Sequence, residues 1–203
     1  MRSAAQPHVR VALALLLLLL LSGCVGTPRQ PTERADWQTH VDAIATQRHW
    51  QLNGKIGFRA GRGSGSAFMT WQQRNDNYRM VLNGALGLGK MVLNGNQDAV
   101  SWSDSQGKNH HHPNPDELVN ELWGWQIPVR ALPFWVRGIP QPDIAITDLQ
   151  LLNGAALAFN QAGWTVRYDA YRDSNGLTLP SRIVLEREGT VLTLLVNRWS
   201  APP

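Results

Sequence analysis

The N-terminal segment shows the sharpest change between polar and apolar positions in the chain. Arg2 and Arg10 precede an uncharged apolar run over residues 11–21, and small residues follow it. This three-part order is typical of a secretory signal. The run is too short for a lasting anchor, because a spanning helix needs about 20 apolar residues to cross roughly 30 Å of hydrocarbon. The pattern therefore predicts a signal peptide over residues 1–23 that is removed after export.

Helical periodicity and then strand periodicity follow in the next segment. Trp37, Val41 and Ile44 recur at helical spacing, with Arg48 one turn further, which predicts an amphipathic helix over residues 33–47. From Trp50 the period changes to two, since apolar residues at positions 50, 52, 56 and 58 alternate with polar ones. Such alternation indicates a half-buried antiparallel strand.

Similar alternating segments, divided by turn-like residues, occur along the remainder of the chain. We predict further strands over residues 65–73, 78–83, 90–94, 99–103, 144–152, 156–161, 164–171, 181–187 and 191–199. Between the two groups of strands, Pro115, Asp116 and Glu117 precede an apolar series and predict a helix that ends at Gly124. A second short helix is predicted over residues 129–136.

About ten or eleven short strands with two or three helices predict a mainly β fold of the α+β class. A closed or strongly curved antiparallel sheet is favoured, because curvature protects the edges on which other chains could pair. The helices are too few to cover the outside of such a barrel, so we expect them at its mouth. That architecture encloses a cavity.

The charge of the chain excludes one class of partner. The formal net charge is +4, two of the basic residues belong to the predicted signal, and no run of Lys or Arg occurs. Because a nucleic-acid surface requires clustered basic residues, we expect no nucleic-acid partner.

The end of the predicted signal reads Leu21-Ser22-Gly23-Cys24, and Cys24 is the only cysteine in the chain. This tetrapeptide resembles the lipobox of bacterial lipoproteins, whose cysteine thiol receives diacylglycerol before cleavage. A chance cysteine is the alternative, but an intramolecular disulfide would need a second one. We therefore expect acyl chains on Cys24 to hold the protein on membrane lipid. In enterobacterial lipoproteins, aspartate directly after the lipidated cysteine commonly signals retention in the inner membrane. Residue 25 is valine, so we expect the outer membrane.

The segment after the cysteine has the composition of a linker. Residues 24–32 contain Gly26, Pro28 and Pro31, a mixture that cannot pack a core and predicts a tether. The remaining residues 33–203 are long enough for one domain with a sizeable core.

Candidate catalytic and metal-binding residues are few. His110, His111 and His112 are conspicuous, and imidazole binds zinc or copper, but no further metal motif completes a site, so we interpret them as an exposed loop. Asp169 and Glu186 lie on predicted polar strand faces, which leaves a paired acid and base open. No nucleophile or phosphate-binding motif is present. We predict no metal, no catalytic residues and no enzyme.

Nine tryptophans are many for 203 residues. Core packing is one interpretation. The other is that aromatic rings and flexible thioethers line a hydrophobic cavity for acyl chains. The candidate lining residues are Trp50, Leu52, Ile56, Met69, Trp71, Met80, Trp102 and Trp164.

An apolar, glycine-rich segment connects two predicted strands at residues 83–89. Hairpin loops are normally polar, yet Leu86 and Leu88 stand here with no charged residue before Lys90. Burial under the helices is one explanation. The functional one is a loop that enters a lipid surface or contacts an acyl chain.

Several of these features carry a resemblance when they are taken in order. They are the lipobox at Cys24, the strand sequence Phe68-Met69-Thr70-Trp71-Gln72-Gln73, the pair Tyr78-Arg79, the loop Ala85-Leu86-Gly87, and the C-terminal segment from Leu179-Pro180 to Trp199. Together they resemble the LolB family, the outer-membrane receptors for lipoproteins within the LolA/LolB-like carrier superfamily. The resemblance covers nearly the whole chain.

The resemblance implies a fold and a function. The fold is an unclosed β-barrel covered by helices, with a hydrophobic cavity for the acyl chains of lipoproteins that the periplasmic carrier LolA delivers. The function is release of this cargo into the inner leaflet of the outer membrane, from a lipid-anchored monomer at the periplasmic face. The family's functional loop leucine corresponds to Leu86, and Leu88 stands beside it, so either could serve. No cofactor or nucleotide is implied.

Other functions remain open to the sequence alone. They are an envelope lipoprotein with another lipid or glycolipid ligand, a periplasmic hydrolase that uses Asp169 or Glu186, and a structural scaffold.

Overall fold

A computed structural model describes residues 30–61, 63–84, 89–103, 106–123 and 126–202. The predicted signal, the expected lipidation residue Cys24 and most of the predicted tether lie outside the described residues. Leu86 and Leu88, the expected membrane or cargo contacts, also lie outside them.

The described residues form three helices and eleven strands. The helices are α1 (Gln30–Ala45), which precedes the strands, and α2 (Pro115–Trp123) and α3 (Leu132–Trp135), which divide them into two groups. The strands are β1 (His49–Ala60), β2 (Gly63–Arg74), β3 (Asn77–Asn83), β4 (Lys90–Gly95), β5 (Val100–Ser103), β6 (Asn109–His112), β7 (Ile146–Leu152), β8 (Ala155–Gln161), β9 (Trp164–Ser174), β10 (Leu177–Arg187) and β11 (Thr190–Ser200).

These strands belong to a single antiparallel sheet in the order β6-β5-β4-β3-β2-β1-β11-β10-β9-β8-β7. Sheet neighbours are also chain neighbours, except where β1 pairs with β11 and joins the two groups. Because β6 and β7 stand at opposite ends of this order, the sheet is unclosed over the part of the chain that is described. The predicted mainly β, unclosed antiparallel architecture with a few helices is confirmed.

Alternation along each strand decides which residues reach the interior. In β9, Trp164, Val166 and Tyr168 are buried, whereas Thr165 and Arg167 between them are exposed. This is the pattern expected when one face of a sheet packs on a core and the other meets water. One face of the sheet is therefore apolar and receives the helices.

Two helices are among the elements whose bounds differ from the sequence-based expectations. Helix α1 begins at Gln30, three residues before the expected start, with Pro31 in its first turn, where proline is tolerated. The predicted helix over residues 129–136 shortens to the single turn of α3, because Pro133 has no N–H to continue a longer hydrogen-bond ladder.

The interpretation of the three histidines as a loop is wrong. They form β6 with Asn109, and His110 and His112 pair with Trp102 and Val100 of β5. The sequence pattern missed this strand because an edge strand of four polar residues has no alternation between apolar and polar positions to recognise.

One hydrophobic core joins the helices to the sheet. Trp37 and Ile44 of α1, Leu118 of α2 and Trp135 of α3 are buried in it with the inward residues of the strands. The compact unit runs over Glu33–Pro203. None of the described helices is long and apolar enough to cross a membrane.

Candidate functional site

A cavity of about 430 Å³ lies between the apolar face of the sheet and the helices. This volume falls in the range of about 300–1,000 Å³ that is usual for ligand pockets. The apolar part of its wall comes from inward-facing strand residues and from α2 and α3. These residues include Trp50, Ile56, Met69, Trp71, Met80, Leu82, Leu93, Val100, Leu118, Phe134, Ile183, Leu185, Leu192 and Leu194.

The structure brings together five of the eight residues expected at the cavity. Those on its wall are Trp50, Ile56, Met69, Trp71 and Met80. Their contact with acyl chains stays a prediction.

The other three expected residues are not among those that line the cavity. Leu52 and Trp164 are fully buried in the core, and Trp102 stacks on His110 with ring centroids 4.8 Å apart. Period-two alternation gave the correct face for Leu52, but the sequence does not reveal which inward side chains other residues cover.

An aromatic cluster forms the wall at the start of β1. The rings of Trp50 and Trp71 lie 5.2 Å apart, and Tyr78 meets Trp71 edge-on at 6.5 Å. Burial, with a smaller contribution from the charge of Asp116, raises the pKa of Tyr78 to about 12. The phenol is therefore neutral at physiological pH, and this wall offers ring surface without charge.

Arg137 is a buried cation in the cavity wall, and the sequence reasoning missed it. Its side chain is only 6% exposed, and its guanidinium lies 5.8 Å from the ring of Trp50 and 5.5 Å from that of Phe134. No carboxylate of the described residues forms an ion pair with it. Burial lowers the pKa of Arg137 to about 10, so it remains charged at neutral pH.

Backbone carbonyls hold this guanidinium in place. Arg137 Nη1 donates hydrogen bonds to the carbonyl oxygens of Ile44 (2.9 Å) and Gln47 (2.8 Å), and Nε donates to that of Pro133 (2.7 Å). Carbonyls at the end of a helix lack partners within the helix. That of Ile44, at the end of α1, accepts hydrogen bonds from Arg137 and from the backbone N–H of Gln47 (3.1 Å). The signal available in the sequence was a lone arginine directly after the apolar residues Trp135 and Val136.

Polar residues surround the same end of the cavity. Gln73, 4% exposed, accepts a hydrogen bond from Trp71 Nε1 (3.0 Å) and donates one to the Asn75 carbonyl (2.8 Å). The exposed polar residues that line the cavity are Gln47, Arg48, Asn75, Asp76, Gln97 and Arg130. The cavity is therefore open to water at this end.

Asp169 and Glu186, the candidate acid and base of a hydrolase, lie away from the cavity. Asp169 pairs with Arg167 and with Arg182 (2.9 Å) on the exposed face of the sheet, and Glu186 lies 3.8 Å from Arg167. An arginine thus stands between the two carboxylates. Neither carboxylate lines the cavity.

The histidines of β6 are separated by strand alternation. His111 is exposed, whereas His110 and His112 are half-buried on the opposite face, and His112 Nε2 lies 3.6 Å from Glu121. The described residues contain no group of three or more His, Cys, Asp or Glu that could hold a metal ion.

Comparison with known proteins identifies the family. The family model described as outer membrane lipoprotein LolB matches residues 48–199. The outer-membrane lipoprotein LolB of Chromohalobacter salexigens is 34% identical, over 98% of this chain and 97% of the relative. That of Stutzerimonas stutzeri is 40% identical, over 92% of this chain and 93% of the relative.

A solved structure shares the fold. The crystal structure of a LolA superfamily protein from Nitrosomonas europaea superposes with a TM-score of 0.52 at 11% identity, and the match covers 84% of this chain and 94% of that one. The matches to the family model and to the two relatives confirm the resemblance inferred from sequence motifs. The chain belongs to the LolB family, and it is a lipid-anchored lipoprotein of the outer membrane.

Proposed function

We propose that this protein accepts acylated lipoproteins from the periplasmic carrier LolA and inserts them into the inner leaflet of the outer membrane. The observation that carries the proposal is the cavity of about 430 Å³, whose wall is mostly aliphatic and aromatic. It is suited to binding apolar chains, and the proposed role is binding and transfer without a chemical step.

The energetics of acyl chains explain why such a receptor is needed. Exposing one 16-carbon chain to water costs on the order of 10 kcal/mol, at about 0.8 kcal/mol for each methylene group. Free diffusion between membranes is therefore negligible. Transfer without an energy source requires that each site bind the cargo better than the one before it, since a ligand moves toward the state that binds it more tightly.

Three residues outside the cavity wall also enter this proposal. Acyl chains on Cys24 would anchor the protein, while Leu86 or Leu88 would engage the bilayer or the cargo. Those two leucines follow β3, in the connection whose flanking residues Gly84 and Gly89 share a backbone hydrogen bond of 3.3 Å.

A transfer assay tests the proposal. The Cys24→Ala form is mixed with LolA that carries an acylated lipoprotein, the two proteins are separated, and the cargo on each is measured. We expect the cargo on this protein without ATP. The matched control is a non-acylated form of the cargo, which should be found bound to neither protein.

Cargo that stays on the carrier would overturn the proposal. Binding of free phospholipid or glycolipid under the same conditions would then favour an envelope lipoprotein with a different lipid ligand.

A further inference from the structure

We propose that the cavity holds its cargo in one orientation, with the acyl-linkage carbonyls beside Arg137 and the chain ends among Ile56, Leu185 and Leu192. This inference rests on the proposed function, because it concerns the way in which an acylated lipoprotein occupies the same cavity. It adds a direction to the binding and a residue that recognises the linkage.

Strand register defines the two ends of the cavity. Trp50 of β1 pairs with Gln73 of β2, which pairs with Tyr78 of β3. Six residues further along β1, Ile56 pairs with Leu194 of β11. At about 3.4 Å for each strand residue, these levels are separated by about 20 Å.

The polar end is the one at Trp50 and Gln73. The turns that follow β2 and β4 begin at this level, and their residues Asn75, Asp76, Asn96 and Gln97 line the cavity. Arg48, which precedes β1, lines it as well. These turn residues are exposed or half-buried, so this end is where ligand groups can remain in water.

The apolar end is the one at Ile56. Leu192 pairs with Phe58 of β1 and with Leu185 of β10, and Leu194 pairs with Ile183. Leu185, Leu192 and Leu194 are each at most 7% exposed. These aliphatic side chains suit terminal methylene groups and offer no donor for a carbonyl oxygen.

Arg137 lies at the polar end, beside Trp50, and has donor capacity to spare. Its three backbone hydrogen bonds use Nε and Nη1, and a guanidinium has five N–H groups. Its Nη2 group takes part in none of the three bonds. A carbonyl oxygen in the cavity next to this cation would gain a charge-assisted hydrogen bond, which is stronger than a neutral one.

The reverse orientation has no such compensation. It would bury ester and amide carbonyls, with the attached peptide, among leucines, and would leave methyl ends at the wet mouth. Buried polar groups without partners oppose binding, so the cavity selects the orientation with chain ends innermost.

Photocrosslinking to the unmodified cavity tests the orientation. Two synthetic diacylglyceryl-cysteine lipopeptides carry a diazirine either next to the ester carbonyl or at the chain terminus. Each is bound to the Cys24→Ala protein, irradiated, and its crosslinked residues are located by mass spectrometry. We expect the first probe to label the polar end near Trp50 and Phe134, and the second to label Leu185 and Leu192.

The linkage is tested with an ether analogue of the same lipopeptide, which keeps both chains but lacks the ester carbonyls. In competition with the ester form we expect it to bind about tenfold more weakly, as loss of a hydrogen bond to a charged group would require. Equal affinity would overturn recognition of the carbonyls by Arg137.

Failure of this inference can be distinguished from failure of the proposed function. The proposed orientation would be overturned if the two probes labelled the opposite ends, if each probe labelled both ends, or if neither labelled the cavity. This holds even if LolA still transferred its cargo. Loss of both specific labelling and transfer would overturn the receptor function itself.

Discussion

Trp135 and Gln161 are joined by a buried hydrogen bond of 2.7 Å from the indole Nε1 to the side-chain Oε1. Gln161 is 2% exposed, and its amide also bonds the backbone of Gln141 and the carbonyl of Ile144. One side chain of β8 thus provides hydrogen-bond partners for several buried polar groups. It also fixes α3, which Arg137 follows closely in the chain.

We predict that Gln161→Leu destabilises the domain by about 3 kcal/mol, since it leaves the indole N–H and backbone groups buried without partners. Denaturant unfolding of the Cys24→Ala form measures this change. Gln150→Leu, at an exposed position of β7, is the control and should shift stability by less than about 0.5 kcal/mol. Similar losses in the two variants would contradict the role assigned to Gln161.

Gly54 sits where β1 meets an irregularity in β11. The register between the two strands shifts at Asn53/Gly54, and a Cβ on Gly54 would lie 2.2 Å from the Leu195 carbonyl oxygen. We expect Gly54→Ala to cost about 2 kcal/mol of unfolding free energy, because a paired backbone cannot easily move. Gly57→Ala is the matched control on the same strand, since its nearest contact is 3.9 Å. Thermal unfolding of both variants would decide the point, and an unchanged melting temperature for Gly54→Ala would refute it.

All three tyrosines should remain protonated in the folded protein at pH values well above the usual pKa of tyrosine. Burial raises the pKa of Tyr78 to about 12 and raises those of Tyr168 and Tyr171 as well. The unfolded chain releases these protons near pH 10, so the stabilisation is complete below pH 10 and is lost as pH rises through the folded-state pKa.

Tyrosinate absorbance and circular dichroism, followed together during alkaline titration, measure this effect. We expect the two signals to change in one cooperative transition. Tyrosinate that appears before the fold is lost would contradict the burial of these phenols. Tyr78→Phe should weaken the pH dependence between pH 10 and 12, since it removes one proton released only on unfolding.

The loop leucines should affect delivery more than uptake. Leu86→Glu is expected to leave folding and cargo acceptance from LolA intact and to slow delivery to lipid vesicles, because a carboxylate resists insertion among acyl chains. Vesicle flotation with labelled cargo measures delivery. Leu88→Glu is the companion variant, and the slower of the two identifies the residue that contacts lipid. Normal delivery by both variants would show that neither contacts lipid.

Strand periodicity was the most informative part of the sequence. Alternation of the type seen from Trp50 to Phe58 located ten of the strands within a few residues, because burial of one face imposes period two. The histidine strand β6 was not predicted, since pairing at a sheet edge requires backbone groups and not a particular side-chain pattern. Sheet order also lay beyond local patterns, because it depends on pairing between β1 and β11 at opposite ends of the chain.

The cavity was only partly predictable for a related reason. Trp50 and Met69 could be assigned to an inward face from alternation, but which inward residues remain uncovered depends on where α2 and α3 pack. The position of the Arg137 guanidinium depends on residues even further apart in the sequence, since it donates a hydrogen bond to a carbonyl 93 residues away. No local pattern reports such a contact.

The open order of the sheet gives this molecule an adjustable circumference. In a closed barrel, hydrogen bonds between the first and last strands fix the perimeter and hence the interior width. Over the described residues, β6 and β7 do not share such bonds, so the sheet can uncurl or tighten while every pairing within it persists. Under the proposed function, one cavity would then accommodate cargoes with different numbers and lengths of acyl chain, without a separate binding site for each.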